Sequence, residues 1–170
     1  VLASTIMIWL GSQTGFAGTN QIDDANKLVT QMMVEVESIL AKDINDNMAR
    51  RENVSALFDR YFDLPTIAKF SAGPYWRAAD PDQKSAYKSV IRDVIIGTVV
   101  HNFDQLSGLK FTATHSKAKG AQLVLVSGTF TDINQQRPPI TVGWRVVTTD
   151  NGSPRILDVE IENISMLVTQ

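Results

Sequence analysis

An α+β fold is predicted by three features of this 170-residue chain. Up to Leu106 the apolar residues recur at helical spacing, and after Gly108 the period changes to two with β-branched residues dominating. The later segments are joined by short connections, so the sheet they form should be mostly antiparallel. With 44% hydrophobic residues the chain is the size of one domain and holds enough apolar material for a core.

Val1 to Gly18 is uncharged, has an apolar stretch from Leu2 to Leu10 and ends in Gly15-Phe16-Ala17, a small-x-small cleavage pattern. Residues 1–17 read as a signal peptide without its basic start, or else as a buried helix; residues 18–170 read as a single domain. The apolar stretch is shorter than the roughly 20 residues that span a bilayer.

From Ile22, residues Ala25, Leu28, Val29, Met32, Val36, Ile39 and Leu40 form the stripe of a long amphipathic helix. Asp43, Asn45 and Asn47 imitate the opening of a calcium loop, but Met48 stands where that loop needs glycine and Val54 where it needs glutamate. A second helix is expected from Asn53 as N-cap, with Val54, Leu57, Phe58, Tyr61 and Phe62 on one face. Pro65 ends it and opens a short helix, and Gly73-Pro74 breaks the chain before Tyr75-Trp76-Arg77. Asp80-Pro81-x-Gln83 is a capping box. The long helix it starts carries Tyr87, Val90, Ile91, Val94, Ile95, Val99, Phe103 and Leu106, and Gly108 is its stop.

Strands are predicted over 111–115, 122–131, 140–149, 155–161 and 164–169, with Asn151-Gly152 as a hairpin turn. Alternation puts Val124, Val126 and Phe130 on one face of their strand. The next strands place Val142, Trp144 and Val146, then Leu157, Val159 and Ile161, on that face too. The helices should cover it. Asp158 and Glu160 then belong to a solvated face.

The net charge of −2 gives no electrostatic footprint for nucleic acid. No cysteine is present, so thiol chemistry and thiolate metal sites are excluded. The nucleophile-elbow, zinc-protease, Walker and dinucleotide-binding signatures are all missing. His101 and His115 have no partner at motif spacing and read as surface residues. No metal, cofactor or catalytic residue is expected, and the protein should not be an enzyme.

Four stretches together resemble the MlaC (toluene-tolerance) family. They are Tyr61-Phe62-Asp63-Leu64 with the helix to Phe70, and Tyr75-Trp76-Arg77-Ala78-Ala79 leading into Asp80-Pro81-x-Gln83-Lys84. The others are Arg137-Pro138-Pro139 before Val142-Gly143-Trp144-Arg145, and Ile156-Leu157-Asp158-Val159-Glu160-Ile161-Glu162 running into Ile164-Ser165-Met166. The order and spacing of the four carry the likeness over most of residues 18–170. Asn163 stands where the family usually has glycine, Pro154 where tryptophan often occurs, and family members usually continue into a C-terminal helical segment that would lie beyond Gln170.

The resemblance implies N-terminal helices packed on one sheet face with an apolar cavity between them. It implies a soluble periplasmic carrier that shuttles phospholipid between an outer-membrane lipoprotein–porin complex and an inner-membrane ABC transporter with its lipid-binding subunit. On that reading the acyl-chain wall comprises Phe58, Tyr61, Phe62, Phe70, Tyr75 and Trp76 from the early helices, Ile91, Val94, Ile95 and Val99 from the long helix, and Val142, Trp144 and Val146 from the sheet. Arg77, Lys88 and Arg92 are head-group candidates, with a solvated role as the alternative. Two rival readings stay open: an envelope-lipid enzyme using the same cavity, and a non-catalytic envelope scaffold whose core is filled.

Overall fold

A computed structural model describes residues 16–42 and 46–167, with side chains from residue 20 onward. Most of the predicted signal segment, part of the calcium-loop look-alike and the end of the last predicted strand lie outside those residues. Five α-helices come first: α1 (Phe16–Ala41), α2 (Asn47–Tyr61), α3 (Leu64–Ser71), α4 (Tyr75–Ala78) and α5 (Pro81–Asn102). A 3₁₀ turn, Phe103–Leu106, then leads to β1 (Leu109–Ala118), β2 (Leu123–Asp132), β3 (Ile140–Thr148), β4 (Pro154–Ile161) and β5 (Ile164–Ser165). The five strands form one sheet in chain order with every neighbouring pair antiparallel. The α+β architecture is as the sequence predicts.

Helix α2 starts earlier than expected. Asp46, not Asn53, is its cap: Asp46 has extended backbone, and its carboxylate accepts the Met48 N–H at 2.8 Å. Asn53 sits inside the helix and donates its side-chain amide to the Ala49 carbonyl at 2.8 Å, the local bond that short polar side chains make within helices. Asp63 caps α3 through Thr66 N–H and ties it to the sheet by donating its own N–H to Ile156 O at 2.9 Å. The capping box of α5 is complete, with Gln83 N–H on Asp80 at 2.8 Å and Asp80 N–H on Gln83 Oε1 at 3.0 Å. Gly108, at φ +74°, makes the left-handed turn into β1 that a side chain would strain.

Two bulges interrupt the ladders. In β1 the partners step from Ala113↔Gly128 to His115↔Ser127, which leaves Thr114 as the extra residue. Between β3 and β4 they step from Arg145↔Asp158 to Val146↔Ile156, so Leu157 is extra. The predicted facing of β4 is corrected by that step. Ile156, fully buried, takes the place opposite Val146 that simple alternation gives to Leu157, while Val159 and Ile161 stay opposite Trp144 and Val142. Asp158 and Glu160 are not on a solvated face either: Asp158 is 4% exposed, and both carboxylates engage Arg145. Asp158 also accepts Ser165 Oγ–H and Leu167 N–H, which curls the chain away after only two residues of β5.

Helix α1 lies directly on β1 to β4, and its Ala25, Val29 and Met32 are almost wholly buried there with Val124, Val126, Val146 and Ile156. Helix α5 packs on α2, α3 and the 3₁₀ turn instead. One side of the helix–sheet interface is therefore filled, and the other is held open.

Candidate functional site

The space between α5 and the sheet is a cavity of about 950 Å³. Its helical wall comes from Met33, Val36 and Leu40 of α1, Leu57 and Phe58 of α2, Ile67 of α3 and Ile91, Val94, Ile95 and Val99 of α5, with Phe62 between α2 and α3. Phe58 and Phe62 stack at 4.3 Å between ring centroids. The sheet supplies Phe111, Phe130, Val142, Trp144 and Val159.

The aromatic floor depends on one glycine. A Cβ on Gly128 would lie 2.4 Å from the Phe111 ring, so the ring rests across a bare strand backbone. In that position it packs 5.3 Å from Phe130 and edge-on to Trp144 at 6.2 Å. Trp144 is buried, and its Nε1–H has no hydrogen-bond partner among the described residues, an uncompensated polar group that a purely structural core would avoid.

Of the thirteen wall residues the sequence nominates, the structure brings eight together on the lining: Phe58, Phe62, Ile91, Val94, Ile95, Val99, Val142 and Trp144. The other five lie off it. Val146 is 2% exposed in the packed core, away from the cavity. Tyr61 is also buried in that core; burial, followed by the hydrogen bond to Glu35, raises its phenol above the usual range. Phe70, Tyr75 and Trp76 are off the lining because α3 points Leu64 and Ala68 into the core and Ile67 and Ser71 at the cavity, which leaves Phe70 outside. The Gly73-Pro74 turn then carries Tyr75 to 81% exposure, and Trp76 lies beneath the ammonium groups of Lys84 and Lys88, each less than 6 Å from its ring.

Residues missed by the sequence reading include Phe111, Phe130, Ile67 and the α1 row Met33, Val36 and Leu40. A signal for the floor existed in Gly128, since an isolated glycine inside a strand marks a close approach.

Three charged side chains touch the cavity: Glu37, Arg137 and Asp158. Arg137 donates Nε–H to Asp132 at 3.0 Å, Nη1–H to Gln105 O and Nη2–H to Ser107 O, both at 2.6 Å. The bond from Arg137, joined by the Asn134 N–H, holds the buried Asp132 carboxyl below the usual carboxylate range. The head-group candidates Arg77, Lys88 and Arg92 are not on the lining, and Arg92 is bound through two nitrogens to Asp59. Both histidines are exposed. Among the described residues there is no cluster of three or more potential metal ligands, and no helix is long and apolar enough to cross a membrane.

Fold and cavity together define a class: α+β domains in which helices and an antiparallel sheet enclose an apolar hollow. Within that class the chain belongs to the MlaC protein family, whose model matches residues 26–170. A solved phospholipid-binding protein from Ralstonia solanacearum, in complex with a phospholipid, shares the fold with a TM-score of 0.67 at 21% identity. The match covers 86% of this chain and 82% of that one. No curated protein sequence matches the chain.

Proposed function

We propose that this protein is a non-catalytic periplasmic carrier that hides phospholipid acyl chains in the cavity and moves the lipid between an outer-membrane lipoprotein–porin complex and an inner-membrane ABC transporter. Residues 1–17 serve as its export segment and residues 18–170 as one lipid-binding domain. The observation that carries this reading is the size and lining of the cavity, about 950 Å³ with only three charged side chains on its wall.

Each methylene exposed to water costs about 0.8 kcal/mol, so two long acyl chains cross an aqueous compartment only when nearly all of their surface is covered. A methylene takes up nearly the ~30 Å³ of a liquid water molecule, so the cavity accommodates on the order of thirty methylenes, the content of two ordinary acyl chains. Direction must then come from ATP hydrolysis in a partner, because a carrier shifts an equilibrium only by its difference in affinity for two states.

Native mass spectrometry of the protein purified from a Gram-negative host, followed by solvent extraction, tests the reading. An excess mass matching intact phospholipid is expected. A bare mass from folded protein would overturn it in favour of a scaffold, and a released lipid that has been cleaved would favour an enzyme.

A further inference from the structure

We propose that Arg137 anchors the anionic phosphate of the bound lipid, so that the cavity selects phosphate-bearing lipids over uncharged lipids with the same chains. This deepens the carrier reading and rests on it.

Among the described residues, Arg137 is the one cation on a lining otherwise charged only by Glu37 and Asp158. It precedes Pro138-Pro139 in the β2–β3 connection, and its side chain is 40% exposed, where the cavity lining passes to solvent. Three hydrogen bonds hold the guanidinium, to Asp132, to Gln105 O and to Ser107 O. Asp132 is a rigid support, with its side chain 2% exposed and a second bond from the Asn134 N–H. Gly108 completes the seat: a Cβ there would stand 3.3 Å from Arg137 Nη2, so the left-handed glycine lets the backbone turn close beneath the guanidinium.

A guanidinium carries five N–H groups in a fixed plane, and three are used, which leaves one on each terminal nitrogen. Both remaining donors sit on a planar, preorganised group and are free to reach phosphate oxygens. Asp132 offsets much of the positive charge, so the contact is governed by hydrogen-bond direction more than by net charge. An affinity gain of about tenfold is expected, at the lower end for hydrogen bonds to an ion. The three cations the sequence nominated for this role are elsewhere: Arg77 and Lys88 are exposed on α4 and α5, and Arg92 is half-buried against Asp59 of α2.

The test titrates delipidated protein with dipalmitoyl phosphatidate and with dipalmitoylglycerol, which has the same chains and no phosphate, reading displacement of an apolar fluorescent probe. In the wild type, phosphatidate should bind about tenfold more tightly. The ratio should fall to about one in Arg137→Gln and recover in part in Arg137→Lys. Equal wild-type affinity for the two lipids overturns the anchor while leaving the carrier reading intact, and it does so without any variant having to fold. Binding of neither lipid defeats the carrier reading itself. Inorganic phosphate that displaces the probe or competes with phosphatidate at equal concentration would also overturn the proposal, since it would make the site a general anion seat rather than a lipid head-group anchor.

Discussion

The two long helices carry the same kind of apolar stripe and meet the sheet in opposite ways. Along the first half of α1 the stripe is pressed onto the strands, with Ala25, Val29 and Met32 each 1% exposed, and only farther on do Met33, Val36 and Leu40 reach the cavity. Along α5 only Ile96 is fully buried, while Val90 and Val94 are more than half exposed and Ile91, Ile95 and Val99 look across a hollow. Amphipathic periodicity therefore establishes that a helix has an inner face, and tertiary placement decides whether that face meets protein or space. The difference has a connectivity basis. Helix α5 is held off by its packing on α2 and α3, and α3 is fixed to β4 by the Asp63–Ile156 bond.

Three substitutions sharpen the contrast. On the filled side, Ile156→Ala removes a side chain with no exposure and should cost about 2–5 kcal/mol, read as a lower midpoint in urea unfolding. On the floor, Gly128→Ala sets a Cβ 2.4 Å from the Phe111 ring and 2.6 Å from the Thr112 carbonyl oxygen, so the ring and the strand backbone must both shift. A loss of about 1–3 kcal/mol is expected, with weaker uptake of long-chain lipid than of short-chain lipid. On the open side, Val94→Trp adds bulk at a cavity residue that is 56% exposed. Stability should stay within about 0.5 kcal/mol in thermal unfolding while probe uptake is lost. Unfolding of this variant would mean that α5 packs as tightly as α1.

Much of the architecture is legible in the sequence because local rules and tertiary structure agree. The capping box at Asp80 and the strand run after Gly108 form where the spacing predicts, whereas the long helix ends at Asn102, and a 3₁₀ turn over Phe103–Leu106 carries the chain to the left-handed turn at Gly108. The exceptions have local causes. Asn53 is a good cap in isolation, but Asp46 lies ahead of a run that can already turn helical. In β4, alternation fails at a bulge that no period reveals, and Asp158, which keeps its expected facing, is buried by Arg145 and by the chain that folds back over it through Ser165 and Leu167. The cavity itself is the least legible part. Phe70, Tyr75 and Trp76 have the chemistry of a wall and lie outside it, whereas Phe111 joins the wall only because Gly128 across the ladder has no side chain.

The Thr114 bulge in β1 has a consequence for life at high concentration. A sheet with an open apolar interior invites stacking through its free borders, where unpaired amides can recruit a second chain. Here the β1 border is broken by the bulge and lined by exposed Lys110, His115 and Lys117, while β4 is capped over its final residues by β5 and touched farther back by Phe62. Among the described residues neither border offers the flat, uncharged run that templates a fibril, so the fold sets an apolar hollow beside sheet edges that disfavour edge-to-edge pairing.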